Sequence, residues 1–248
     1  MYLKQIASYW DSRAEGYSLS IHEQLGSDAG VYYRDKLKCC APSGEALSCL
    51  DVGCGPGFFS ILLAQAGHRV TAVDYSEGML AQAQENFQQL GVTVETRRGD
   101  AQELPFQDGC FDYIVSRNLV WNLESPAEAY REWMRLLKPG GHLLVEDGNH
   151  YLYYFDEQYL EARRAAAAGS THPCYGVDPT PINEIARALP LSREHRPDWD
   201  IATLLKLGMN HLEVSVSRSP FTDPDSGEIK SVICDFLLCA EKPAEVCV

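Results

Sequence analysis

The chain has 248 residues, of which 45% are hydrophobic and 23% charged, and 35 acidic against 21 basic residues leave a formal net charge of −14. This length suits one large α/β domain, and no segment is apolar and long enough to span a bilayer. The negative charge opposes a phosphate backbone, and the basic residues form no run longer than the doublets Arg97-Arg98 and Arg163-Arg164, so we expect no nucleic-acid and no membrane partner.

The predicted elements follow one another from Ser48, where short β-branched runs begin to alternate with helical patterns. The first six in chain order are the strand SCLDV (48–52), the helix FFSILLAQAG (58–67), the strand RVTAVD (69–74), the helix SEGMLAQAQENFQQLG (76–91), and the strands VTVETRRGD (92–100) and FDYIVS (111–116). The next is a helix that starts with the capping box and N1 proline of Ser125, Pro126 and Glu128 and ends at LKPGG (137–141). It is followed by the strand HLLVED (142–147), a helix near WDIATLLKLGM (199–209), and the antiparallel pair LEVSVS (212–217) and VICDFLLCA (232–240). This alternation predicts a mostly parallel sheet of about seven strands flanked by helices.

The cysteines and the N-terminus predict the compartment. Nine cysteines follow no regular spacing and include the adjacent pair Cys39 and Cys40, which is difficult to bridge. Residues 1–16 contain no continuous apolar stretch of the kind that a secretory signal needs. We therefore expect reduced thiols, no metal site and a cytoplasmic protein.

A glycine turn, DVGCGPG (51–57), lies between the first strand and the first helix. Such a turn lets the backbone approach a ligand, and the helix N-terminus offers unpaired N–H groups to an anionic group. A P-loop would require Gly-Lys-Ser/Thr where this chain has GFFS, so that option fails. A dinucleotide fingerprint would require a third glycine at Phe58, which disfavours a pyrophosphate ligand without excluding it.

Four motifs in order resemble those of the class I (Rossmann-like) S-adenosylmethionine-dependent methyltransferases, closest to the ubiquinone/menaquinone-biosynthesis-type branch that acts on small molecules. They are LDVGCGPG (50–57), VTAVDYSEGML (70–80), GDAQELPFQDGCFDYIVS (99–116) and LLKPGGHLLVED (136–147). The resemblance implies an α/β three-layer sandwich with a mostly parallel seven-stranded sheet whose last strand is antiparallel. It also implies S-adenosyl-L-methionine as cofactor and a small-molecule methyl acceptor.

The resemblance further implies one methyltransferase domain over residues 1–248, in four parts. They are an N-terminal helical lid (1–45), a cofactor-binding core (46–147), a substrate-lid insertion after strand five (148–197), and a C-terminal helix and strand pair (198–248).

The cofactor residues are carried over from the same motifs. Asp74 ends the second strand, 23 positions after Asp51, where an acid can accept both ribose hydroxyls, although it could instead be an N-cap. The resemblance assigns cofactor contacts to Asp51, Gly53, Cys54, Gly55, Gly57, Asp74, Tyr75, Met79, Asp100, Ala101, Asn118 and Leu119, and to the lid tyrosines Tyr9 and Tyr17. Met79 could equally pack in the core, and the tyrosines could pack a helix on the domain.

Methyl transfer from a sulfonium requires alignment and exclusion of water, and no catalytic residue is obligatory. If the acceptor needs a base, the candidates are His150, His172 and Asp147. The tyrosine- and histidine-rich insertion is expected to form the acceptor pocket together with the lid. Two alternatives stay open: a cofactor-binding regulatory or accessory protein without transfer, and a thiol or metalloid methyltransferase, suggested by cysteines that include Cys174.

Overall fold

A seven-stranded sheet forms the centre of the protein. The structure is a computed structural model and describes residues 2–167 and 176–244. The strands are β1 (Ser48–Val52), β2 (Arg69–Asp74), β3 (Glu95–Arg98), β4 (Phe111–Arg117), β5 (Leu137–Gly148), β6 (Asn210–Thr222) and β7 (Ile229–Glu241), and their order is β3-β2-β1-β4-β5-β7-β6. Neighbours from β3 to β5 are parallel, and β7 is antiparallel to both β5 and β6. The strand order reverses between β1 and β4, which is where open α/β sheets bind ligands.

Helices cover both faces of the sheet. They are α1 (Leu3–Leu25), α2 (Asp28–Cys40), α3 (Phe58–Gln65), α4 (Glu77–Gln89), α5 (Pro126–Leu136), α6 (Glu157–Ala167), α7 (Thr180–Ala186) and α8 (Asp198–Lys206). Alternate strand residues point to opposite faces: Leu143 and Val145 pack with α5 and α8, whereas Leu144 packs with α2 and α3. The predicted three-layer fold with its antiparallel last strand is confirmed. None of the helices in the described ranges is apolar and long enough to span a membrane.

The element bounds differ from the predicted ones mainly in β3 and in β5 to β7. β1 and β2 have the predicted bounds, whereas β3 is shorter and β5 to β7 are longer. β5 includes the LKPGG turn because Gly140 N donates to Lys242 O and Lys242 N donates to Gly141 O. The capping box predicted at Ser125 is wrong, since its side chain caps nothing and its N–H donates to Gln102.

The segment 1–45, predicted from the sequence to be a lid, contains α1 and α2. Asp11 of α1 ties the lid to the start of α4, because its Oδ1 accepts from Ser76 Oγ at 2.5 Å and from Gly78 N at 2.9 Å. The insertion contains α6, α7 and two short 3-10 helices, Leu152–Tyr154 and Pro190–Arg193.

Candidate active site

A cavity of about 760 Å³, a volume that includes open solvent at its mouth, lies at the carboxyl ends of β1 to β4. One wall is the lid helix α1, through Leu3, Ile6, Ala7, Trp10 and Tyr17. The cavity brings together most of the predicted cofactor residues, namely Gly53, Gly55, Asp74, Tyr75, Met79, Asp100, Ala101, Asn118, Leu119 and Tyr17. Asp51, Cys54, Gly57 and Tyr9 lie outside its lining.

The glycine turn adopts left-handed backbone angles at Gly53 (φ +68°), Gly55 (φ +52°) and Gly57 (φ +96°). A Cβ at Gly57 would lie 2.4 Å from Phe87, and one at Gly53 would lie 2.7 Å from Leu119. Glycine is therefore required by both conformation and space. Gly57 is the last residue of the turn, and α3 begins directly after it.

Asp51 and Cys54 lie behind the turn. Asp51 Oδ2 accepts from Ser60 N at 2.9 Å and Ser60 Oγ at 2.6 Å, which joins β1 to the first turn of α3. Burial raises the pKa of Asp51 to about 7. Both residues line a smaller pocket of about 310 Å³ that shares Tyr17, Gly53, Gly55 and Arg117 with the main cavity.

Asp74 faces the cavity and also holds the turn. Its Oδ2 accepts from Gly55 N and its Oδ1 from Ser76 N, each at 2.9 Å. Each oxygen keeps a second acceptor site for a hydroxyl. The N-cap of α4 is Ser76, whose Oγ accepts from Met79 N at 3.0 Å, so the alternative that Asp74 caps the helix is wrong. Burial raises the pKa of Asp74.

The acid after β3 and the aromatic residue after β2 lie at one end of the cavity. Asp100 Oδ1 accepts from Gln102 N at 3.0 Å and from Gln102 Nε2 at 2.9 Å. The Arg98 guanidinium lies 4.9 Å from the centre of the Tyr75 ring, which fixes that ring beside the cavity. Met79 is 3% exposed and lines the cavity from the core, so packing and ligand contact are compatible there.

The end of β4 has a strained backbone. Asn118 has φ +52°, donates from its N to Glu146 O at 2.8 Å, and accepts at its O from Trp121 Nε1 at 3.0 Å. Left-handed angles at a residue other than glycine are concentrated at functional sites. The preceding residue, Arg117, lines both pockets and was not predicted from the sequence. The pattern that could have identified it is a basic residue at the carboxyl end of a parallel strand.

Tyr9 departs from the predicted lid role. It is 7% exposed, its hydroxyl accepts from Arg13 Nη1 at 3.3 Å, and it packs with Ile6 and Trp121. Successive side chains of a helix are rotated by about 100° about its axis, so Trp10 lines the cavity and Tyr9 does not.

Two of the three candidate bases lie outside the cavity lining. Asp147 is fully buried, pairs with Arg196 Nη1 at 2.8 Å, and accepts from Trp121 N at 3.0 Å and Gly148 N at 2.8 Å. Burial opposes its charge, but Arg196 and His150 outweigh burial and lower the pKa of Asp147 to about 2, which makes it a poor base. We therefore correct the prediction for Asp147 to a positioning role.

His150 packs its ring edge-on against Trp121, with ring centres 5.6 Å apart, and its Nε2 lies 3.3 Å from Asp147 Oδ1. Burial lowers the pKa of His150, but Asp147 outweighs it and the pKa is raised. The third candidate, His172, lies outside the described residues. Within the described ranges, no group of three or more His, Cys, Asp or Glu side chains could hold a metal ion.

Residues 50–145 match a family model described as a methyltransferase domain. The chain therefore carries a methyltransferase domain over these residues. The domain and its fold together indicate S-adenosylmethionine as the cofactor, and the cavity has the carboxylates and the glycine turn that this group requires.

The methyltransferase domain is similar to proteins with different acceptors. Malonyl-[acyl-carrier protein] O-methyltransferase of Erwinia pyrifoliae is 40% identical over 127 residues, which are 51% of this chain and 45% of that protein. Demethylmenaquinone methyltransferase of Listeria welshimeri is 40% identical over 103 residues, 40% of this chain and 43% of that protein. The chain thus spans about half the length of the curated relatives that it matches.

A solved structure shares the fold of the methyltransferase domain. Phosphoethanolamine N-methyltransferase 2 of Haemonchus contortus, in complex with S-adenosyl-L-methionine, aligns with a TM-score of 0.62 at 18% identity over 91% of this chain and 56% of that one.

An aromatic layer, the Trp121 ring with the rings that pack on it, lies between the insertion and the cavity of the methyltransferase domain. None of its described residues, 148–167 and 176–197, lines the cavity. Tyr151 packs on Trp121 (ring centres 5.0 Å apart) and on Tyr154 (6.0 Å), and Trp121 meets the cavity-lining Trp10 at 6.4 Å. The acceptor pocket predicted from residues 148–197 therefore stays a prediction.

Proposed function

We propose that this chain transfers a methyl group from S-adenosylmethionine to a small-molecule acceptor. One observation carries the proposal: a methyltransferase domain places a glycine turn and the acids Asp74 and Asp100 around a single cavity. In this proposal Asp74 binds the ribose hydroxyls and Asp100 the adenine. The relatives act on different acceptors by name, so they support the transfer but no particular acceptor.

Alignment and exclusion of water supply most of the proposed catalysis. The bound cofactor would provide a methyl group on a positively charged sulfur. Trp10 and Tyr17 of the lid cover the cavity on the side of α1, where they would exclude water from the methyl group. Neither Asp147 nor His150 reaches the lining, so the proposed role of the protein is to orient the acceptor in line with the sulfur.

We also propose that residues 1–248 act as one domain with the four parts predicted from the sequence, in the cytoplasm. The cysteines support the cytoplasmic location, since those among the described residues are free thiols. They are Cys39, Cys40, Cys49, Cys54, Cys110, Cys234 and Cys239.

Titration calorimetry tests the proposed cofactor. We expect micromolar binding of S-adenosylhomocysteine and little or none of NAD, because Phe58 replaces the glycine that a pyrophosphate turn needs. Tight NAD binding without heat from S-adenosylhomocysteine would contradict the proposal. Transfer of isotope from labelled cofactor across a metabolite extract then distinguishes an enzyme from a binding protein without transfer.

A further inference from the structure

Arg117 is a buried cation at the end of β4. Its side chain is 17% exposed, and its Nε donates to Glu146 Oε2 at 3.0 Å. Its Nη2 donates to Gln24 Oε1 of the lid at 2.9 Å. The guanidinium also lies over the Tyr33 and Phe58 rings, 4.7 and 4.6 Å from their centres. These four contacts hold the planar group in one orientation.

Arg117 lies at the opposite end of the cavity from Asp100. The cavity runs across the strand ends from Asp100 after β3, past Asp74 of β2 and the turn after β1, to Arg117 of β4. Strands lie about 4.8 Å apart, so three spacings separate the two ends by about 14 Å. With the adenine at Asp100 and the ribose at Asp74, the amino-acid end of the cofactor falls beside Arg117.

The chemistry at this end suits a carboxylate. A guanidinium has five N–H donors; Glu146 and Gln24 take two and the Tyr33 hydroxyl is placed near a third, which leaves donors for a ligand. The first turn of α3 borders the same smaller pocket. Asp51 accepts from the Ser60 N–H of this turn, and the N–H groups that precede it add a partial positive charge. Of the described residues that line the two pockets, Arg117 is the one with a positive charge.

We propose that Arg117 binds the carboxylate of the methionine moiety, so that a side chain of β4 recognises the amino-acid end of the cofactor. The inference rests on the proposed function, since it requires an S-adenosyl ligand. The hydrogen bond to Gln24 of α1 also connects this contact to the lid.

Calorimetry with two ligands tests the contact without an activity assay. S-adenosylhomocysteine carries the carboxylate, and its decarboxylated analogue, S-adenosyl-3-thiopropylamine, lacks only that group. Arg117→Met is expected to weaken S-adenosylhomocysteine about 10- to 100-fold, the effect of one or two charge-assisted hydrogen bonds, and the analogue by less than about threefold.

Arg98→Met is the matched control, because it removes a guanidinium at the adenine end beside Tyr75. It is expected to change the affinity of both ligands by the same factor. If loss of Arg117 leaves the buried Glu146 carboxylate with only the Tyr33 hydroxyl as a donor and prevents folding, the double variant Arg117→Met/Glu146→Gln removes both charges and is measured instead.

Equal weakening of both ligands by Arg117→Met, or no weakening of either, would overturn the assignment of Arg117 and leave the proposed function intact. Failure of both ligands to bind the unmodified protein would contradict the proposed function itself. The two failures are therefore distinguishable.

Discussion

At the scale of single residues, Asp74 combines two tasks with one carboxylate. Its oxygens accept from Gly55 N and Ser76 N, which orients the glycine turn and the start of α4. The same oxygens face the cavity. Two hydrogen bonds per carboxylate leave about two acceptor sites free, and these are the sites proposed for the ribose hydroxyls.

Asp74→Ala is therefore expected to weaken binding of S-adenosylhomocysteine by about 2 to 4 kcal/mol, through the loss of two charge-assisted hydrogen bonds. Calorimetry measures the affinity, and thermal unfolding checks that the variant is folded. Glu77→Ala is the control, because Glu77 begins the same helix with its side chain 72% exposed. An unchanged affinity in folded Asp74→Ala would rule out the ribose role.

At the scale of elements, a buried ionic network joins β5, α5 and α8 to the end of the insertion. Arg196 pairs with Asp147 at 2.8 Å and with Asp200 at 2.7 Å, and all three side chains are fully buried. Tyr130 of α5 donates to Asp200 Oδ1 at 2.5 Å. Asp147 in turn holds the backbone of Trp121, so the network positions the aromatic layer between the insertion and the lid.

Arg196→Met is expected to lower the free energy of unfolding by about 3 to 5 kcal/mol, because it leaves two buried carboxylates without their cation. Urea unfolding measures this loss. Arg131→Met, which breaks an exposed pair with Glu128, is the control, with an expected loss of less than about 1 kcal/mol.

The pH dependence separates the ion pair from simple loss of packing. The pKa of Asp147 is lowered to about 2 in the folded protein, so its contribution to stability is present above the unfolded pKa of about 3.9 and is lost as the pH falls towards 2. In Arg196→Met burial of Asp147 is no longer opposed by the cation, so Asp147 takes up its proton at a higher pH than in the native protein. The difference in stability between the two proteins is therefore expected to shrink as the pH falls, until Asp147 is protonated in both near pH 2. A difference of constant size over this range would contradict the ionic account.

At the scale of the whole molecule, α1 docks on α4 and forms one wall of the cavity. Asp11 accepts two hydrogen bonds from the start of α4, and the Asn86 amide donates to Ser18 Oγ at 2.9 Å further along the same contact. Because Trp10 and Tyr17 line the cavity from this helix, we expect movement of α1 to speed the release of a bound cofactor.

Asp11→Ala is expected to raise the dissociation rate of S-adenosylhomocysteine about three- to tenfold, because it removes two hydrogen bonds that hold the lid. Stopped-flow measurement of tryptophan fluorescence follows the release, since Trp10 lies in the cavity wall. Glu15→Ala removes an exposed acid from the same helix and should leave the rate unchanged. Equal rates in the native protein and Asp11→Ala would contradict a lid held by this contact.

The sequence by itself determined the features that depend on local patterns. β1 and β2 have their predicted bounds because short β-branched runs end at a glycine turn and at Asp74. The turn requires left-handed angles, which glycine adopts without steric cost. The order of the motifs along the chain was also enough to predict the fold, since parallel strands with helical crossovers allow few arrangements.

Only the tertiary structure decided which side chains meet the cavity. Tyr9 and Trp10 are neighbours in sequence, and the docking of α1 on α4 turns Trp10 towards the cavity. In the sequence, Asp147 is an acid at the end of a strand with no charged partner nearby. In the structure, Arg196, 49 positions later (196 − 147), pairs with it in the core. Arg117 becomes a binding candidate only when Glu146 and Gln24 fix its guanidinium. Charge pairing over such distances leaves no periodic trace in the chain, because it depends on the packed structure and not on local conformation.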